Sequence, residues 1–422
     1  MLNQEQAQAM NAIEEFLQSN KTICVLDAPA GTGKTYLINH LAHKYPRKFY
    51  IAATTHKAAE VLSNVLNDNV KTVHALFKIR VKSNYNNGKE ELDFSNAKTL
   101  SGWFIIDECS MIDQELFVAL LKLAPKSKFI FVGDRCQLAP VKCSLSPVFE
   151  YADVTLSLTK IMRTDGNKSI EDICKRYRSV VETKEFPETK VTGDVIVLNP
   201  PEFMAKINEH FAVPSFDSKI LCYTNQRVME FVSYIDHHLR HKDQLLRVGE
   251  NYLVNSAVLN KDDEVIIPNN TEVTLERLGE LHQGDYMSYY DVTLRLHDRD
   301  VTIDTFVPFN EHYKATAMKE AAKQKDWKHY FMMKNGWADL RSRDCSTVHK
   351  AQGMTIDNVF IDLENLGSCR SHSTFARLLY VALSRARKKI YLCGALPERY
   401  GCIIWATWAG PRRHVLQKDC RN

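Results

Sequence analysis

Asp27-Ala28-Pro29-Ala30-Gly31-Thr32-Gly33-Lys34-Thr35 lies between a short apolar run, Thr22-Ile23-Cys24-Val25-Leu26, and a segment with helical apolar spacing at Leu37, Ile38 and Leu41. Strand, glycine-bearing loop and helix, in that order, is the context a phosphate-binding loop requires. Gly31 and Gly33 let backbone N–H groups converge on phosphate oxygens, the helix N-terminus adds partial positive charge, and Lys34 brings a mobile ammonium. The Thr35 hydroxyl is a candidate Mg²⁺ ligand, so Ala30, Gly31, Thr32, Gly33, Lys34 and Thr35 form a candidate nucleotide cradle. Ala28 stands where the pattern usually opens with glycine, and its methyl group is tolerable if φ there stays negative. The bland alternative is a Gly-Thr-Gly turn beside a chance lysine. The flanking strand and helix weigh against it.

Working outward, other apolar runs have the length of buried parallel strands and deliver polar residues at their carboxyl ends, the edge where open α/β sheets bind ligands. Trp103-Phe104-Ile105-Ile106 ends in Asp107-Glu108, which suits a carboxylate for Mg²⁺ (Asp107) and one that polarises water (Glu108). An unrelated Asp-Glu pair at a strand end is common, but this one follows a phosphate loop. Phe129-Ile130-Phe131-Val132 delivers Gly133 to Pro140, with Gln137 as a candidate γ-phosphate sensor, and Arg163, beyond the next strand, is a candidate for charge stabilisation in phosphoryl transfer. Phe49 to Ala53 ends in Thr54-Thr55-His56-Lys57, and Thr72-Val73-His74 repeats that chemistry one loop later. Hydroxyls and backbone amides there suit phosphodiester oxygens, whereas a lone core histidine is the ordinary reading of His74. Gln6, on the first helix (Asn3 to Leu17), could read an adenine edge or simply be solvated.

Residues 79–94 change character. Arg80, Lys82 and Lys89 surround Asn87-Gly88, a two-residue hairpin signal, with Val81, Tyr85, Leu92 and Phe94 at apolar strand positions. A nucleic-acid wedge presenting Tyr85 and Phe94 and a solvated surface hairpin fit equally well. In the second half Ile220 to Tyr223 ends in Thr224-Asn225, mirroring Thr54-Thr55, and a helix runs on from Gln226 to Arg240. It carries His237, His238 and His241, two of which lie one turn apart, but no third ligand or partner cysteine is spaced to complete a metal site. Residues 247–343 replace strand–helix alternation with short strands and a charged helical stretch from His312 to Tyr330, a pattern for a small β-barrel inserted into a second core, with a helical arm. Packing is the ordinary role for Trp327, Tyr330 and Trp337 in that arm. Thr347 to Met354 and the helix from Phe375 to Ser384 resume the second core.

The 422 residues exceed one ordinary core, and 45% hydrophobic with 25% charged residues is a globular composition. A net charge of +4 permits a nucleic-acid partner without demonstrating one. The eleven cysteines form no C-x-x-C pair, several sit in apolar strands, and no apolar run spans a bilayer. A cytoplasmic protein with no membrane partner is expected, in a host cytoplasm if phage-encoded.

Taken in order, Gln6, Ala30 to Thr35, Thr54 to Ala58, Thr72 to His74, Asp107 to Met111, Gly133 to Pro140, Thr159 to Arg163, Cys222 to Asn225, Thr347 to Met354 and Tyr380 to Arg387 resemble the motifs of superfamily-one DNA helicases of the 5′-to-3′ branch, most closely the Dda-like group. Each motif alone is weak to moderate; the full ordered set, spanning nearly the whole chain, is specific. The resemblance implies an α/β fold of two RecA-like parallel-sheet cores of the P-loop NTPase type. Core one would cover 1–78 and 95–175, with a β-hairpin wedge at 79–94; core two would cover 176–246 and 344–399, with an SH3-like β-barrel and helical arm at 247–343. A tail of unassigned role would follow at 400–422. It implies ATP and Mg²⁺ as cofactors, with Gln6, Gln352 and Gly353 added to the nucleotide contacts and Arg385 as an arginine finger. It also implies single-stranded and forked DNA as partners, held by Thr54, Thr55, His56, Thr72, His74, Thr224, Asn225, Thr347 and His349. Single-strand-binding or replisome proteins are further candidate partners, and a monomer is expected. DNA preference and polarity follow from the resemblance alone. An RNA helicase of the same superfamily, a nucleic-acid-stimulated affinity switch that does not unwind, and a small-molecule ATPase or kinase remain alternatives.

Overall fold

The strand Ile23–Asp27 is buried at every position and pairs in parallel with Lys128–Gly133 on one side and Val154–Ser157 on the other. A computed structural model describes residues 2–140, 143–162, 167–214, 217–241, 246–297 and 300–405. In it this strand lies inside a six-stranded parallel sheet, with order Lys71–Thr72, Phe49–Ala53, Trp103–Asp107, Lys128–Gly133, Ile23–Asp27, Val154–Ser157. Alternate residues face opposite layers: Cys24 and Leu26 pack with Ile13, Leu37 and Leu62, while Ile23 and Val25 pack with Phe104, Phe117 and Phe131. Two covered faces explain why these runs are continuously apolar rather than alternating.

The chain divides into two compact units, 1–161 with 236–343, and 162–235 with 344–422. The second unit has a five-stranded parallel sheet, ordered Val195–Leu198, Ala386–Cys393, Ile356–Asp362, Ser218–Cys222, Cys345–Thr347. Parallel sheets flanked by helices in both units are the RecA-like α/β architecture expected from sequence.

The segment expected as an insertion in the second core groups by its contacts with the first. It forms an antiparallel sheet of Val301–Pro308, Tyr289–Leu296, Glu272–His282, Asn251–Val254 and Leu340–Arg341 around Val273, Leu275, Val292 and Leu294. The expected single arm helix is two, Glu311–Lys323 and Trp327–Phe331, separated at Lys325, whose φ is 57°. The helix from residue 225 ends at Ser233 and widens into a π-type turn over Tyr234–Leu239. The hairpin forms from Arg80–Asn84 and Lys89–Asp93, but a four-residue connection joins it: both Asn87 and Gly88 N–H donate to the Asn84 carbonyl. The expected tail is partly structural, since Ile403–Trp405 pairs with Thr189–Val191 and the buried Tyr400 ring stacks on Phe375 at 3.8 Å. Among the described residues no helix is long and apolar enough to cross a membrane, and no three potential metal ligands cluster.

Candidate nucleotide and nucleic-acid sites

The phosphate loop leaves Ile23–Asp27 and enters the helix Lys34–Lys44 with Gly31 at φ 84° and Gly33 at φ 87°, left-handed conformations that favour glycine. Ala28 is buried and its φ is not positive, so its methyl group fits as the sequence required. Its N–H donates to the Gly133 carbonyl at 2.8 Å, and the Lys34 ammonium donates to the Ala28 and Pro29 carbonyls at 2.9 and 3.3 Å. The loop is braced from behind by Asp27, which accepts from Arg135 N–H at 3.0 Å and pairs with its guanidinium at 2.7 Å.

Gln6 is already spent. Its Oε1 accepts from Asn3 N–H in the capping box of helix Gln4–Gln18, and its Nε2 donates to the Thr32 carbonyl at 3.2 Å. A Cβ on Gly33 would sit 2.4 Å from that Nε2, so the glutamine lies against the loop itself. As placed, it supports the phosphate loop; reading an adenine edge would require breaking these bonds.

Trp103–Asp107 delivers the carboxylate pair. Burial, with the neighbouring Glu108 charge, pushes the Asp107 carboxyl up to about 7 against the opposing pull of Lys34. A carboxyl so placed gains most from a cation, which is the behaviour of a metal ligand awaiting charge compensation. Glu108 is held at φ 54°, ψ 41°, a left-handed conformation uncommon for glutamate, and its Oε2 is buried with no hydrogen-bond partner among the described residues. Thr35, Asp107 and an unsatisfied glutamate oxygen in one unit are a donor set that fits Mg²⁺ with a nucleotide. Gln137 is buried on the loop after Lys128–Gly133, its N–H donating to the Asp134 carbonyl. Arg163 lies outside the described residues.

Three of the threonines expected to touch DNA are helix N-caps. Thr55 accepts from Ala58 N–H, Thr72 from Ala75 N–H and Thr224 from Arg227 N–H, each at 3.2 Å. What these strand ends offer a phosphate is the first turn of a helix, where backbone amides and the O–H of the capping threonine, whose oxygen alone is engaged by the cap, can both donate. Thr54 differs: its Oγ1 donates to the Glu108 carbonyl at 2.9 Å. His74 and His349 are buried enough to hold their imidazoles below the usual value, which Asp113 partly opposes at His74, so they bring no charge at neutral pH. Thr347 is buried at the end of Cys345–Thr347, and Gln352 and Gly353, with φ 80° at the glycine, sit in the turn that follows.

In the second unit Asn365 does for Thr224 what no sequence pattern announces. Its Oδ1 accepts from Tyr223 and Thr224 N–H at 2.7 and 3.2 Å and its Nδ2 donates to the Thr224 hydroxyl at 3.0 Å. Arg385 is fully buried, donating from Nε to the Val381 carbonyl at 3.1 Å and from Nη1 to the Met354 carbonyl at 3.3 Å. It has to release these bonds to act as an arginine finger. The half-buried neighbour Arg387 pairs with Asp357 at 2.6 Å.

On the hairpin, Phe94 is exposed, and Tyr85 is exposed with its ring edge-on to Phe331 at 5.3 Å. The hairpin is tied to the antiparallel domain by Arg80 with Glu264, Ser83 with Asp263 and Lys334 with Glu90, at 2.8, 3.2 and 2.8 Å. Trp327 presses so closely on Gly88 that a Cβ there would lie 2.3 Å from its ring. These partners lie some 180 residues or more apart in sequence, and no local signal foretells them.

Residues 1–195 match the family model of an AAA domain, and residues 344–393 that of a UvrD-like helicase C-terminal domain. The chain is 26% identical to the ATP-dependent DNA helicase dda of Enterobacteria phage T4, over 92% of this chain and 98% of that protein. It is 25% identical to the ATP-dependent DNA helicase Pif1 of Bdellovibrio bacteriovorus, over 94% of this chain and 89% of that one. Its fold resembles Pif1 helicase from Bacteroides in complex with ADP-AlF3 and ssDNA, with a TM-score of 0.54 at 17% identity, over 95% of this chain and 94% of that structure.

Proposed function

We propose that this chain, whose likeness to superfamily-one DNA helicases runs along nearly its whole length, is an ATP-dependent DNA helicase that moves 5′ to 3′ on single-stranded DNA and unwinds duplex. The observation that carries this reading is the threonine-capped helix N-terminus, found at the carboxyl edge of both parallel sheets and, in one, on the same edge as the phosphate loop. A small-molecule kinase has use for the loop but none for the repeated anion-binding ends.

In this reading Gly31 to Thr35 hold the triphosphate, with Lys34 leaving the loop carbonyls for phosphate oxygens. Thr35 and Asp107 would hold Mg²⁺, which neutralises the charge that develops on the phosphoryl oxygens. Glu108, with one oxygen unsatisfied, orients water and takes its proton, and Gln137 reports the γ-phosphate. Arg163 and Arg385 supply positive charge to the transition state. The helix first turns behind Thr55, Thr72 and Thr224, with Asn225, His56 and the turn at Thr347 and His349, grip the DNA backbone without reading bases. Nucleotide turnover alternates that grip and yields stepping. The hairpin 79–94 serves as the strand-separating wedge, with Tyr85 and Phe94 as its aromatic face. The antiparallel domain is read as an SH3-like barrel that braces it through Trp327 and Glu264. The helicase works as a monomer in the cytoplasm.

The test is unwinding of duplexes with a 5′ or a 3′ tail, in DNA and RNA, with Lys34→Ala as control. Activity is expected on 5′-tailed DNA only. Equal activity on a 3′ tail removes the polarity, activity on RNA points to an RNA motor, and DNA-stimulated hydrolysis without strand separation leaves an affinity switch.

A further inference from the structure

We propose that Thr54 is a positioning residue that carries the state of the DNA grip to the catalytic carboxylate of Glu108, and not a ligand of DNA phosphate. The inference rests on the helicase reading above and deepens it. Thr54 follows the strand Phe49–Ala53, which pairs in parallel with Trp103–Asp107, so its backbone lies beside the carboxylate pair: its N–H donates to the Asp107 carbonyl at 3.2 Å. Its hydroxyl then donates to the next carbonyl, that of Glu108, at 2.9 Å. Glu108 has the left-handed φ of 54°, a conformation that a glutamate does not hold without help. With Oε2 lacking a partner, the aim of this carboxylate depends on its backbone, and Thr54 fixes that backbone from the neighbouring strand.

The other end of the connection is one peptide bond away. Thr55 caps the helix His56–Leu66, whose first-turn amides are the proposed phosphate ligands. A phosphate drawn onto those amides pulls on the cap, the cap on Thr54, and Thr54 on the Glu108 carbonyl. The path runs through the hydroxyls of two consecutive β-branched threonines and the peptide bond between them, with no long side chain in it. Coupling by this route predicts that hydrolysis responds to single-stranded DNA through kcat, since the nucleotide cradle is untouched.

Thr54→Val keeps the shape and the strand preference of the side chain and removes the donor, while Thr54→Ser keeps the donor. Both are made in the full chain, and ATP hydrolysis is measured without DNA and with saturating oligo-dT, alongside oligo-dT affinity by anisotropy. Thr54→Val is expected to lose about tenfold in DNA-saturated kcat, with KM for ATP and affinity for oligo-dT within about twofold, and Thr54→Ser to restore most of the loss. Weakened oligo-dT binding at undiminished saturated kcat would overturn the proposal and return Thr54 to the DNA contacts. So would equal loss in both variants, or no loss in either. Should Thr54→Val misfold by circular dichroism, Thr54→Ala carries the same comparison. A wild-type rate indifferent to DNA sinks the motor reading together with the coupling, whereas a stimulated wild type with an unaffected Thr54→Val sinks the coupling alone.

Discussion

At the scale of single residues, the two ends of the nucleotide site make separable demands. The Lys34 ammonium hydrogen-bonds the Ala28 and Pro29 carbonyls and offsets some of the buried charge at Asp107, so Lys34→Ala removes little packing and the cation that would meet a phosphate. Hydrolysis is expected to fall about a hundredfold or more with the melting temperature nearly unchanged; a large thermal loss would mean that the ammonium braces the loop. Asp107 makes the opposite case. Its carboxyl, near 7 in the fold, stands well above the roughly 4 of an unfolded aspartate, so folding takes up a proton between those values. The associated stability is complete below about 4 and is lost as pH rises through 7. Asp107→Asn carries no titrating proton, so its melting temperature relative to wild type should be higher at pH 8 than at pH 5, by roughly a few degrees. A difference independent of pH would show that this carboxyl is not desolvated. That Asp107 and Glu108 form a pair was legible from their place after a buried strand, because a strand end fixes position and the residue types fix chemistry. The left-handed turn at Glu108 and its tie to Thr54 were not, because both depend on which strand lies alongside.

At the scale of elements, helix starts were legible and their consequences were not. Ser, Thr, Asp and Asn before an apolar repeat announce a cap, yet nothing local says that the oxygen of such a threonine is held by its own helix, leaving the O–H as the part that can donate to a phosphate. The hairpin shows a second limit. Asn87-Gly88 marks a turn correctly, but its length was set by packing, since the loop must bring Gly88 under Trp327. Gly88 also has φ 70°, so Gly88→Ala is strained and displaces the hairpin from the arm. Unwinding of 5′-tailed duplex is expected to fall severalfold while oligo-dT-stimulated hydrolysis holds; parallel loss of both would mean that the hairpin is not a separate working part. The arm has its own titrating joint. At the start of Glu311–Lys323, burial and Asp339 push the Glu311 carboxyl up to about 7, with Lys314 and Arg341 opposing, and Glu311 Oε1 has no partner among the described residues. A raised carboxyl stabilises the joint below the ordinary glutamate range and ceases to do so as pH climbs through 7. Amide exchange around Ala317 and Ala321, corrected for intrinsic rate, should therefore quicken from pH 6 to pH 8 in wild type and stay level in Glu311→Gln.

At the scale of the whole molecule, the ordered motifs disclosed two parallel sheets because each sheet is built from short buried strands whose polar ends recur in sequence. Which unit would hold the antiparallel domain was not disclosed, because Arg80 with Glu264 and Ser83 with Asp263 are long-range polar pairings that leave no periodic trace. The net charge of +4 left the partner open for a related reason. If the backbone of DNA is gripped chiefly by helix first turns behind Thr55, Thr72 and Thr224, with neutral His74 and His349 nearby, the contacts are dipolar and few cations are needed. Salt dependence separates the two kinds of grip, since each phosphate neutralised by a cation on a single strand contributes roughly −0.7 to the slope of log K against log salt. A protein holding DNA through lysines and arginines over six or so phosphates would give about −4. Here the slope for oligo-dT between 50 and 300 mM salt is expected to be shallower than about −3, read by anisotropy at fixed pH without nucleotide. A slope of −4 or steeper would mean that lysines and arginines carry the grip, Lys57 among them once released from its pairing with Glu60, and that the threonine-capped helix ends are structural.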